Sequence, residues 1–134
     1  MTAYAVHARR PADVELWTPA LDAHEAIFGR LPDLAAADRG FTSAANETAA
    51  LKRGVRHVVL PHRGPRPPTR RAHARQRWFR RGQRWRVGCA GRISVLKRRF
   101  GLRRCLYQRQ DGIERWVGLG VIANNLVAIA TASP

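Results

Sequence analysis

Apolar positions recur along this chain in more than one rhythm, and each rhythm predicts a different element. Val14, Trp17, Leu21 and Phe28 are spaced by three, four and seven, which places them on one helical face. Pro19 sets the start of regular helix near Thr18, with Thr18 as cap and Pro19 in the first position, and Gly29 stops it. Leu31 to Ala37 is a short apolar run that ends in Asp38, Arg39 and Gly40, the pattern of a buried strand with a carboxylate at its C-terminal end. Ser43 to Leu51 reads as a helix capped by Ser43 and ended by Gly54, with Glu47 one residue beyond the capping-box position. Val55 to Leu60 is a second, β-branched strand. Strand, helix and strand in that order imply a parallel pair joined by a right-handed crossover. Tyr4 to His7 reads as a further short strand or as the end of one cut off at Met1, and Pro11 breaks it.

The pattern changes at Pro61. From there to Arg77 the chain holds Pro61, Pro65, Pro67 and Pro68 among a dense set of arginines, which predicts an exposed, poorly structured arm or insertion ended by Trp78, Phe79 and Trp85. Helical order returns over Arg84 to Phe100, where Cys89, Ile93, Leu96 and Phe100 are spaced by four, three and four, and Gly101 terminates it. Asp111 to Ile129 is the last helix, apolar nearly all round and so expected to be buried. Its apolar stretch, Trp116 to Ala130, is shorter than a membrane span and is interrupted by Asn124 and Asn125. The expected class is α/β: one domain over 1–134, with a partial sheet region at 1–61, a basic Pro/Arg-rich insertion at 62–83 and C-terminal helices at 84–134.

Charge adds a partner to this picture. The formal net charge is +16, and no Asp or Glu lies between Thr48 and Gln110. Only four of the 25 basic residues fall in the first 50 positions, together with seven of the nine acids, so the excess sits in the rest of the chain. All the bases except Lys52 and Lys97 are arginines, the side chain suited to bidentate phosphate contact. Arg86, Arg92, Lys97, Arg98 and Arg99 are the candidate phosphate contacts, and Trp78 and Trp85 the candidates to stack on unpaired bases. The plainer alternative is a solvated helix face above a core stripe. An anionic membrane surface or an acidic protein is the other kind of partner such an arm would suit. Asp38 is either a metal ligand at a strand end, or a cap for the turn before Gly40 or a partner of Arg39.

Other chemistry is thinly represented. Cys89 and Cys105 give neither a disulfide framework nor metal-ligand spacing, and read as reduced cytosolic thiols. There is no Gly-rich phosphate loop, CxxC or Ser/His/Asp arrangement. His24 falls on the first helical stripe and reads as structural, and Asp111 and Glu114 as partners of a helix dipole. The opening MTAYAVHARRPADVE lacks the apolar run of a signal peptide.

Three segments in order, AADRGFTSAANETAALKRGVRHVVLP (Ala36 to Pro61), RWFRRGQRWRVGCAGRISVLKRRFGLRRCLYQ and GIERWVGLGVIANNLVAIA, resemble the C-terminal part of DDE-type insertion-sequence transposases, from about Asp13 to Ile129. The resemblance implies a partial RNase H-like fold. In that family two Asp and one Glu hold Mg²⁺ or Mn²⁺ ions that run cleavage and strand transfer at transposon ends. By the same resemblance Asp38 matches the second Asp, and Arg86, Ala90 and Lys97 fit a frame of Arg, three residues, Glu, six residues, Lys. Ala90 stands where the Glu belongs. The strand of the first Asp has no counterpart, because Met1 falls about where the third strand should end. The implied protein is a truncated cytoplasmic transposase fragment without cutting activity, holding no metal stably. Transposon-end DNA and an intact transposase are its partners, and it has no membrane role. The alternative is a non-catalytic basic nucleic-acid-binding module.

Overall fold

Short β-branched and alanine-rich runs form the sheet. Leu34–Ala36 (β1) and His57–Val59 (β2) pair in parallel, with Leu34 opposite His57, Ala35 opposite Val58 and Ala36 opposite Val59. This is a computed structural model, and it describes residues 1–62, 64–65 and 67–132. Arg63 and Arg66, from the expected basic arm, lie outside the described residues. Between the strands runs a helix, Ala44–Lys52. Ser43 caps it as expected, its Oγ accepting from the Asn46 amide at 3.0 Å. The result is a mixed helix–strand fold whose two-stranded sheet has the parallel order that strand, helix, strand requires.

The chain gathers into two compact units, Pro11–Gly88 and Met1–Arg10 with Cys89–Pro134. In the first, α1 (Trp17–Phe28), α2 (Ala44–Lys52) and the two strands share a core of Trp17, Leu21, Ala35, Ala50, Val55, Val58 and Leu60. Of the apolar face expected on α1, Trp17 and Leu21 enter that core, while Val14 and Phe28 stay exposed. The helix begins at Trp17, after a 3-10 turn over Asp13–Leu16, so Thr18 is not its cap. Pro19 still lies in the first turn, where an amide proton has no helical partner to lose. Gly29 ends the helix in the left-handed region, as its position predicts. Asn46 ties the elements together: its side-chain amide donates to the Val14 and Phe41 carbonyls, each at 2.9 Å, and its backbone carbonyl accepts from the Trp17 indole at 3.0 Å. Arg53 binds Asp22 at 2.7 Å and Glu25 at 2.9 Å, which joins the end of α2 to α1. Those hydrogen bonds push its guanidinium above the ordinary pKa.

The expected arm is partly a helix. Pro68–Arg75 forms α3, with Pro68 at its first position, where proline is pre-organised for helix. Arg70 anchors it to α2 through Glu47 at 2.8 Å. The next helix, α4, runs Arg77–Arg99 and so begins well before Arg84. Gly82 does not break it, because α4 meets the sheet there: a Cβ at Gly82 would lie 2.7 Å from Cγ2 of Val59.

In the second unit, residues 1–7 form no strand; they lie along the last helix, α5 (Gln110–Ala132). The Met1 amino group donates to Asn125 Oδ1 at 2.8 Å, Asn125 returns a bond to the Met1 carbonyl at 2.8 Å, and Gln110 Nε2 reaches the Val6 carbonyl at 3.2 Å. The ring of Tyr4 lies against Gly118 and Leu102 against Gly120. Gly101 closes α4 at φ 72°, with the Leu102 amide bonded to the Leu96 carbonyl at 3.4 Å. The expectation that α5 is buried all round fails. Its covered side is Gly112, Gly118, Gly120, Val121 and Asn124, whereas Leu119, Ile122, Leu126 and Ile129 are more than half exposed. The covering residues, Tyr4 at Gly118, Leu102 at Gly120 and Tyr107 at Gly112, leave the side of Leu119, Ile122, Leu126 and Ile129 open. At 23 residues the helix is also longer than the apolar stretch suggested, and by length and composition it is enough to cross a membrane.

The contact at Gly82 gives a test of opposite signs within one helix. Gly82→Ala should lower stability by about 1 kcal/mol or more, because overpacking against Val59 outweighs the gain in helix propensity. Gly88→Ala, where a Cβ meets nothing within 4 Å, should raise stability by up to about 1 kcal/mol. Urea unfolding midpoints of the two variants should move in opposite directions from the parent.

Candidate carboxylate site and nucleic-acid interface

Asp38 leaves the sheet just beyond β1 and caps the 3-10 turn Arg39–Phe41, its Oδ1 accepting from the Arg39 amide at 2.7 Å. The same oxygen lies 3.3 Å from Nη1 of Arg86. Arg86 comes within reach because α4 meets β2 at Gly82, and Arg86 follows Gly82 by one helical turn on the same face. The Asp38 side chain is 69% exposed and that of Arg86 27%, so solvent screens the pair and it contributes less than about 1 kcal/mol. Nε of Arg86 is buried and has no hydrogen-bond partner among the described residues.

A divalent metal needs more than this. Mg²⁺ asks for near-octahedral oxygen donors from several groups, and the carboxylate here already serves a backbone amide and a guanidinium. Among the described residues no three His, Cys, Asp or Glu side chains gather to hold a metal ion. The residues present do not fit a two-metal centre.

The basic candidates divide between the two units. Arg86, Trp78 and Trp85 belong to Pro11–Gly88; Ala90, Arg92, Lys97, Arg98 and Arg99 belong to the other, all five exposed along α4. Of the apolar stripe expected there, Leu96 is buried and Phe100 partly so, while Cys89 and Ile93 are exposed. Among the described residues Arg86 is the one basic side chain of α4 in an ion pair. Trp85 is 68% exposed. Trp78 is half-buried: His57 stacks on it at 4.6 Å between ring centres and 18° between planes, and His73 and Phe79 meet it edge-on.

Other candidate residues escaped sequence reasoning. Arg77, Arg80, Arg81 and Arg84 line the same groove as Trp78 and Trp85. Their spacing of three, four and seven was the available signal, hidden while Pro61–Arg77 was read as irregular. Arg70 also lines it, with its guanidinium pushed above the ordinary pKa by the bond to Glu47. His24, by contrast, is structural, its Nδ1 3.1 Å from the Arg30 carbonyl and its ring against Phe28.

Fold and site together describe a basic protein of mixed helices and strands, with a carboxylate at the end of a parallel strand and an arginine-rich helix beside it. The chain belongs to the transposase DDE domain family, whose pattern matches residues 1–126. No curated protein and no solved structure matches it. Transposases of this family act on DNA and generally use divalent metal ions.

The carboxylate geometry predicts indifference to metal. Millimolar Mg²⁺ or excess EDTA should leave the thermal unfolding midpoint unchanged, since binding to the native state alone would raise it. A Mg²⁺-dependent rise that Asp38→Ala abolishes would contradict this.

Proposed function

We propose that this chain is a transposase domain that binds DNA without cutting it. The observation that carries the reading is the Asp38 carboxylate, held by the Arg39 amide and Arg86 rather than grouped with other acids. Ala90 supports it, standing in the family frame between Arg86 and Lys97 where a Glu would complete the metal ligands. One carboxylate cannot anchor two hydrated cations in a defined geometry. The domain is a partial RNase H-like fold, a reading supported by the parallel strand–helix–strand unit with Asp38 at its end.

DNA binding rests on the uncompensated arginines. Arg92, Lys97, Arg98 and Arg99 are exposed without an acid partner among the described residues, and they contact phosphates. Transposon ends are the DNA, and an intact transposase acting on the same ends is the partner that such a chain competes with. The protein is cytoplasmic, and α5 is a helix of its folded unit rather than a membrane span, as its contacts with Met1, Tyr4 and Val6 support.

The test is filter binding of duplex DNA across a salt series. The logarithm of affinity should fall linearly with the logarithm of salt, and Lys97→Ala combined with Arg98→Ala should make the slope shallower by about 1.8. A response that is flat in salt would remove the proposal.

A further inference from the structure

The first unit contains a groove of about 1380 Å³ between the end of β2, α3 and the first half of α4. Helix spacing puts Arg77, Arg80, Arg81 and Arg84 along about 10 Å of one side of α4, all of them lining the groove. Trp78 and Trp85 lie two turns apart, about a quarter-turn round the helix from that stripe, and line the groove as well. The groove's one acidic side chain among the described residues is Asp33, which sits 3.8 Å from Arg30.

The two indoles have different situations. Trp78 already has one ring face against His57 and is part of the wall. Trp85 is 68% exposed, and no ring contact covers it among the described residues. Burial in the fold therefore does not account for an indole at that position. In a groove of guanidinium groups, what an open indole offers is a stacking surface for a flat, anionic polymer. In duplex DNA the base faces are already stacked on each other and are closed to it. An unpaired strand presents both base faces and phosphates.

We infer that this groove is a binding site for single-stranded DNA, with Trp85 stacking on a base and Arg77, Arg80, Arg81 and Arg84 holding the adjoining phosphates. The inference rests on the reading of the chain as a DNA-binding protein and specifies where, and in which form, the DNA is held. The groove belongs to the first unit, whereas Arg92, Lys97, Arg98 and Arg99 belong to the other.

The test is fluorescence anisotropy with a labelled oligothymidine and with a duplex of equal length, at one salt concentration, using the full chain. The quantity to read is the ratio of single-strand to duplex affinity. Trp85→Ala should lower that ratio by about tenfold, the loss expected from one base–aromatic stack, and Trp85→Phe should restore part of it. Circular dichroism of both variants should match the parent, since the side chain is on the surface. An unchanged ratio in Trp85→Ala, with duplex still bound, would overturn the groove assignment and leave the DNA-binding reading standing. Absence of binding to either DNA at low salt would overturn both.

Discussion

Helix α4 reaches the sheet because position 82 has no side chain. Val59 is fully buried, and the backbone of α4 comes so close to it that a methyl group at Gly82 would collide with its Cγ2. Much of the rest of the first unit follows from this approach. One turn beyond Gly82, Arg86 meets Asp38 at the end of β1. Three residues beyond it, Trp85 enters the groove, and on the turns before it Trp78 is placed against His57 at the start of β2. A glycine that lowers helix propensity is thus the point at which an arginine-rich helix becomes part of an α/β unit.

That geometry also decides what Asp38 does. A carboxylate at the C-terminal end of a parallel strand is well placed to bind a ligand. Here it finishes a 3-10 turn and faces a guanidinium, so its charge is met within the protein. A cation would compete with Arg86 for Oδ1 of Asp38 and would find no cluster of further ligands among the described residues. The long acid-free stretch from Thr48 to Gln110 thus has two sides. It places no carboxylate along α4, and among the described residues it leaves the arginines of α4 other than Arg86 without an acid partner.

Features set by local chemistry were legible in the sequence. The Ser43 cap, the Gly29 and Gly101 stops, both strands and their parallel order follow from neighbouring residues and from chain connectivity. Features set by partners distant in sequence were not. The prolines before α3 suggested an arm, yet Pro68 starts a helix whose position depends on the Arg70 pair with Glu47. The apolar pattern of α5 indicated burial, but pattern alone does not say which residues distant in sequence will lie against it. At the site, Asp38 and Arg86 were each singled out, Asp38 by its place after a strand and Arg86 by its place in a family frame. Their pairing was not foreseen, because it depends on a contact made at Gly82. The arginine stripe beside Trp85 was missed for a related reason: α4 begins earlier than its apolar rhythm does.

The central claim is that DNA is held and left intact. It is tested most directly with end-labelled transposon-end DNA, incubated with the chain and with Asp38→Ala in the presence of Mg²⁺ or Mn²⁺, and analysed for complex formation and strand length from the same reaction. The account predicts retarded complexes whose strands remain full length, with no difference in cleavage between the two proteins. Shortened strands produced by the parent chain and lost in Asp38→Ala would contradict it.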